Sequence, residues 1–254
     1  MSTSLSASAA FASVSSVVYF GVGRLLGRRE VRAGAARAHA AFRAWWFGVA
    51  LSTAITAFIA VLGVLGAATV GAVTALTLVD FAIVCLALWG LLYYLVYLYS
   101  GRTGAWLWIA AAYVAYWLFL VWLILQADPV GVDVGAWSVQ LEYRDDLEGD
   151  PLAAIALALL VMPQIIGALA YLSLFFRLED ATARYRVMVV SISILIWFGS
   201  VYAGALGGLG AEAWWQILSR LVGLAAALAI LAAYLPPPLI RNRWGVRSLR
   251  EDSA

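Results

Sequence analysis

The chain has no lysine; every one of its 16 basic residues is arginine. A side-chain Schiff base to retinal or to a pyridoxal aldehyde is therefore excluded, because that linkage needs a lysine amine. Histidine is almost absent too. The one present, His39, stands among arginines, so neither a multi-histidine zinc site, nor paired-histidine haem ligation, nor a Ser-His-Asp arrangement within an apolar segment can be built. One cysteine, Cys85, allows no intrachain disulfide. There is no GxxxxGK[ST] loop and no CxxC pair. No ladder of acids runs through the apolar runs, as a proton pump would need. Non-catalytic function, with no cofactor, no metal and no nucleic-acid partner, is the expectation.

Charge of either sign is scarce as well, at 12% of 254 residues, against 65% hydrophobic. A soluble fold of this size cannot hide so much apolar surface. The solvent is lipid. A helix needs about 20 apolar residues to cross the hydrocarbon layer, and seven stretches qualify: roughly 7–27, 41–66, 70–100, 104–126, 151–176, 186–208 and 212–237. The first is the least hydrophobic, with serines crowding the stretch from Ser4 to Ser16. It lacks the basic start and cleavage site of a removable signal, so a retained span is expected. The fold class predicted is an all-α integral membrane protein, a seven-transmembrane-helix bundle over 1–237 with a short tail over 238–254.

What charge there is falls unevenly. Arg24, Arg28, Arg29, Arg32, Arg37 and Arg43 crowd the first connection. Arg102 lies in the third. Arg177, Arg184 and Arg186 follow the fifth span, and Arg241, Arg243, Arg247 and Arg250 fill the tail. Asp128, Asp133, Glu142, Asp145, Asp146, Glu148 and Asp150 gather in the fourth connection, with only Arg144 and Arg220 for company on that side. Arginine-rich loops stay in the cytoplasm, which puts the N-terminus outside and the C-terminus inside. A multi-pass protein of the inner (cytoplasmic) membrane follows, and the alternation requires an odd number of spans.

The fourth connection alternates apolar with small or polar residues over Val130, Val132, Val134 and again over Trp137, Val139, Leu141, Tyr143. Period two predicts strands, with a turn at Gly135-Ala136, giving an extracellular β-hairpin; an irregular acidic loop is the alternative. The first connection is expected to extend the second helix inward, its arginines near anionic headgroups. Pro236, Pro237 and Pro238 stop the last span. The tail beyond them alternates Leu239, Ile240, Trp244, Val246 and Leu249 with arginines, as an amphipathic segment on the inner leaflet would.

Asp80 stands inside the third apolar run, 19 residues before Tyr99. At 1.5 Å per residue that is about 28 Å, which places the acid at the outer edge of the hydrocarbon if the tyrosines near the end mark the inner interface. Arg220 on the seventh span sits at matching depth, so an ion pair between the two is geometrically reasonable, with Glu212 as a competing partner. At similar depth lie Trp122, Gln126, Gln164, Trp197, Tyr202 and Gln216. Met162-Pro163-Gln164 interrupts the fifth span, and a proline there permits a kink beside a cavity. The eight polar and aromatic residues read either as an outward-facing ligand site or as groups that only lock helices together.

The segments "RAHAAFRAWWFG", "WGLLYYLVYLYSGRTGAWLW" and "YLSLFFRLEDATARYRVMVVSISILIWFGS" resemble the seven-helix sensor regions at the N-termini of bacterial and archaeal histidine kinases. The resemblance covers most of the chain, and implies a membrane sensor. Those proteins continue into a kinase; with this sequence stopping at Ala254, a stand-alone receptor working through a separate cytoplasmic partner at the arginine-rich face is the expectation. The architecture is also similar to that of microbial rhodopsins, without their lysine. Met162-Pro163-Gln164 resembles the proline-glutamine pair of small seven-helix transporters, but the first span has no matching pair. The expected function is a receptor binding a small or lipid-like ligand in the outer half of the bundle. A small-solute transporter or channel, and a non-catalytic membrane subunit that docks another protein, are the alternatives.

Overall fold

The computed structural model describes residues 2–27, 35–102, 104–144, 151–206 and 212–248. Seven helices among them are long and apolar enough to cross a membrane. They are α1 (Ser2–Leu26), α2 (Ala36–Val64), α3 (Val70–Ser100), α4 (Trp106–Gln126), α5 (Pro151–Ser173), α6 (Ala181–Leu206) and α7 (Ala213–Tyr234). A short α8 (Pro238–Trp244) follows. The bundle has an arginine end, holding Arg24, Arg37, Arg102, Arg177 and the tail, and a hairpin end. Arg28, Arg29, Arg32, Asp145, Asp146, Glu148, Asp150, Leu249 and Arg250 lie outside the described residues.

Local chemistry sets the helix ends. Thr69 opens α3 by accepting from the Ala72 N–H at 3.3 Å, an N-terminal cap that satisfies one orphan donor. Gly101 closes it in the left-handed region (φ 65°), donating to the Tyr97 carbonyl, a conformation that favours glycine. Asp180 caps α6 by accepting from the Ala183 N–H at 2.7 Å. The arginine-bearing segment Arg37–Arg43 is the first turns of α2.

Six helices close a ring. α1 packs on α2 and α7, α2 on α3, α3 on α5, α5 on α6 and α6 on α7. α4 stands outside, against the flank of α3, with a slender contact to α5. Tyr113, Leu120 and Leu123 bury it against Cys85, Leu88 and Ala156, and directed bonds tie it further: the Trp117 indole donates to the Leu78 carbonyl, the Trp89 indole to the Trp106 carbonyl at 2.9 Å, and Tyr116 Oη to the Ala156 carbonyl at 2.6 Å. Small residues let the ring helices approach closely. Ser8, Ala9, Ala12 and Ser15 of α1 are buried, and Ser16 Oγ donates to the Ala50 carbonyl at 2.7 Å. On the α2–α3 interface a Cβ built on Gly48 would sit 2.6 Å from Ala87 Cβ, and one on Gly90 2.5 Å from the Ala41 carbonyl oxygen.

Between α4 and α5 the chain forms an antiparallel pair, β1 (Pro129–Val134) with β2 (Val139–Tyr143), in the register Val132↔Leu141 and Val134↔Val139. The turn spans Gly135 to Ser138, closed by a Gly135 N–H to Ser138 carbonyl bond of 3.0 Å, two residues longer than the dipeptide expected. Val134 and Val139 seat on Leu5, Ala9, Ala60 and Val64, so the hairpin roofs the ends of α1 and α2.

At the other end the tail folds back. Arg186 is buried, and its guanidinium donates to the Arg247 carbonyl at 3.0 Å. The Arg247 N–H donates to Thr182 Oγ1 at 3.1 Å, and Val246 is buried. Leu239 and Trp244 of α8 remain exposed. A hydrogen bond from a charged donor contributes about 1.5–3 kcal/mol. Arg186→Leu is therefore expected to free the tail, and trypsin should cut after Arg241 and Arg243 markedly faster in membrane vesicles. Unchanged cleavage would mean that Arg186 does not hold the tail.

Candidate functional site

A cavity of about 300 Å³ lies inside the ring, lined from α2, α3, α5, α6 and α7. Asp80 reaches it from α3 and Arg220 from α7; Gln164 reaches it from α5 and Trp197 from α6. These four sequence-predicted residues are brought together. Trp122 and Gln126 are not: α4 lies outside the ring, Trp122 is 48% exposed, and Gln126, the last residue of α4, is exposed. Matching depth put them with the others, but their direction around the helix axis turns them away. Tyr202 and Gln216 are half-buried and do not line the cavity, Tyr202 lying next to its lining residue Val201 and Gln216 one turn before Arg220.

Asp80 and Arg220 face one space, yet no ion pair of 4.0 Å or less joins them, and none joins Arg220 to Glu212. The expected α3–α7 ion pair is thus corrected to two opposite charges across a cavity. Ser52 shares the cavity wall with Asp80, while Asp80 Oδ1 is buried with no partner. The Trp45 indole N–H, on the same lining, is likewise buried with no partner. An unmet acceptor and an unmet donor each carry a desolvation penalty of about 1–3 kcal/mol, more for the charged one.

Sequence reasoning missed the α2 contribution. Ser52, Thr53 and Thr56 all line the cavity. Thr53 Oγ1 donates to the Val49 and Ala50 carbonyls and Thr56 Oγ1 to the Ser52 carbonyl. Each hydroxyl uses its one proton on its own helix, leaving oxygen lone pairs as acceptors. The signal was the stripe Ser52–Thr56 one turn apart, and hydroxyls score too mildly on hydropathy to stand out. Gln164 Nε2 donates to the Leu160 carbonyl at 3.3 Å, beside Pro163, whose missing N–H leaves the carbonyl one turn back without a helical donor.

Toward the arginine end an aromatic layer closes the cavity. Trp45 lies against Trp46 with centroids 4.3 Å apart, Tyr19 stacks on Trp46 and, at 5.4 Å, on Trp197, and Phe198 sits 4.6 Å from Trp197. Below it Leu91, Leu95, Val190, Ile194, Ala227 and Ile230 form a buried apolar core. Two larger clefts, of about 440 and 480 Å³, flank α4 and share Trp89 and Trp106. Their walls are largely apolar and aromatic, and Arg37 is their one charged lining residue. Size ranks them above the ring cavity, but chemistry does not. No group of three or more histidine, cysteine, aspartate or glutamate residues fit for a metal occurs among the described residues. The chain matches no protein-family model, and comparison with curated proteins and with solved structures gives no match.

Proposed function

We propose that the chain is a receptor-like seven-helix protein of the cytoplasmic membrane, with its hairpin end outside and its arginine end in the cytoplasm. It binds a small ligand in the ring cavity and signals through a separate partner at the arginine-rich face. One observation carries the reading: a charged, partly unsatisfied cavity inside the ring, sealed on one side by stacked aromatics. A structural subunit would need only a solid bundle. A transporter or channel would need polar groups reaching both ends, and the aromatic layer with the apolar core beneath it opposes that. The resemblance to kinase sensor regions agrees with the reading, and the exposed Arg177 and Arg184 at the arginine end supply the docking face. Ligand closure would move α5 at Pro163 and α6 with it.

Two measurements test this. Thr56→Cys, in a Cys85→Ser background, is expected to react with a membrane-impermeant methanethiosulfonate added from the outside. No reaction from either face would remove the accessible cavity. A thermal-shift screen of metabolites and lipids should find a stabiliser, since a ligand at 100 times its Kd adds about 2.7 kcal/mol. A broad screen without a hit counts against the receptor.

A further inference from the structure

We propose that the ring cavity takes a small zwitterion of the amino-acid class, its ammonium group on Asp80 and its carboxylate on Arg220. The inference rests on the ligand-binding reading above and names the chemistry of the ligand.

Opposite unit charges project into one space from α3 and α7 without pairing. A charge brought out of water needs a compensating partner or the penalty outweighs the attraction. A ligand with a single charge would satisfy one of these residues and leave the other facing an apolar wall. A zwitterion satisfies both and adds no net charge. The local acceptors fit the same orientation. Asp80 Oδ1 lacks a partner, and the Thr53 and Thr56 hydroxyls have given their protons to α2 carbonyls, so an ammonium group with three donors meets acceptors on the α2–α3 side. Arg220 offers the planar fork that suits a carboxylate. The remaining walls, Phe81, Leu157, Leu160, Phe198 and Val201, are apolar and suit an aliphatic or aromatic side chain. At about 300 Å³ the space lies at the small end of ligand pockets. It suits a body of amino-acid size and excludes a whole phospholipid.

The geometry also states what binding would do. α3 and α7 are not neighbours in the ring; α5 and α6 lie between them on one side, α1 and α2 on the other. A ligand held by Asp80 and Arg220 ties them across the interior, over the proline-bearing stretch of α5.

The test uses the full chain in detergent and in nanodiscs, with thermal shift and tryptophan fluorescence as readouts. The probes are L-leucine and L-phenylalanine, L-leucinamide as a cation without the carboxylate, and 4-methylpentanoate as an anion without the amine. The zwitterions are expected to bind saturably and each single-charge analogue about 10- to 100-fold more weakly, as removal of a charged hydrogen-bond partner implies. Asp80→Asn and Arg220→Gln should each weaken zwitterion binding by a similar factor. The ligand series on the unaltered chain keeps the test decisive if a variant is not recovered. Equal binding of leucinamide or 4-methylpentanoate would overturn the zwitterion while leaving a ligand cavity. Failure of all four probes would also overturn it, and cysteine accessibility at position 56 would then decide separately whether the cavity itself stands.

Discussion

Gly90→Leu is expected to cost the bundle at least about 3 kcal/mol and to leave little monodisperse protein in detergent. Even one methyl group at this position would press on the Ala41 carbonyl oxygen at 2.5 Å and its carbon at 3.3 Å. That obstacle is backbone, so no rotamer change relieves it. Overpacking where side chains can yield already costs about 1–3 kcal/mol, and here α2 and α3 would have to separate. Their separation would also pull Gly48 from Ala87 and widen the cavity between Ser52 and Asp80. Gly71→Leu, in the same helix, is the control: nothing lies within 4 Å of its Cβ position. Thermal unfolding of the two variants side by side checks the claim, and equal melting temperatures would refute it.

The second large effect is expected at Trp197. This side chain stacks on Tyr19 at 5.4 Å, touches Phe198 and lines the cavity. Truncating a fully buried tryptophan to alanine costs about 3–5 kcal/mol through lost contacts and the void left behind, and Trp197, half-buried against the core, belongs at the low end of that range. Lipid weakens the solvent-driven share of that figure, but van der Waals packing is the force that joins membrane helices. A loss near 3 kcal/mol corresponds to roughly 6–12 °C for a domain of 150–250 residues. Trp122→Ala removes a side chain of equal size from α4, where it is 48% exposed, and should shift the midpoint little. Comparable losses in the two variants would contradict the placement of α4 outside the ring.

That pair of tryptophans shows what the sequence could and could not convey. Depth along a helix is legible, because 1.5 Å per residue converts position into height. All seven spans therefore emerged within five residues at every end. The charges of Asp80 and Arg220, being expensive in lipid, marked themselves. Direction around the helix axis was not legible. α4 is apolar on every side, so nothing in its composition says which face meets α3 and which meets lipid. Trp122 and Gln126 were grouped with Asp80 by height alone. The α2 hydroxyls were overlooked for the opposite reason: serine and threonine are cheap in a membrane helix when they bond their own backbone, as Thr53 and Thr56 do.

The length of α3 has a consequence for where a ligand would arrive. Its 31 residues make about 46 Å of helix, while the hydrocarbon layer measures about 30 Å. The excess must be absorbed by leaning or by protruding beyond the acyl chains. Asp80 is ten residues past Val70, about 15 Å below the helix start, so protrusion toward the roof would set its carboxyl level with the glycerol backbones of the lipids. A molecule bound there would have left bulk water without ever entering oil, and the thickness of the surrounding bilayer would tune how readily it gets in.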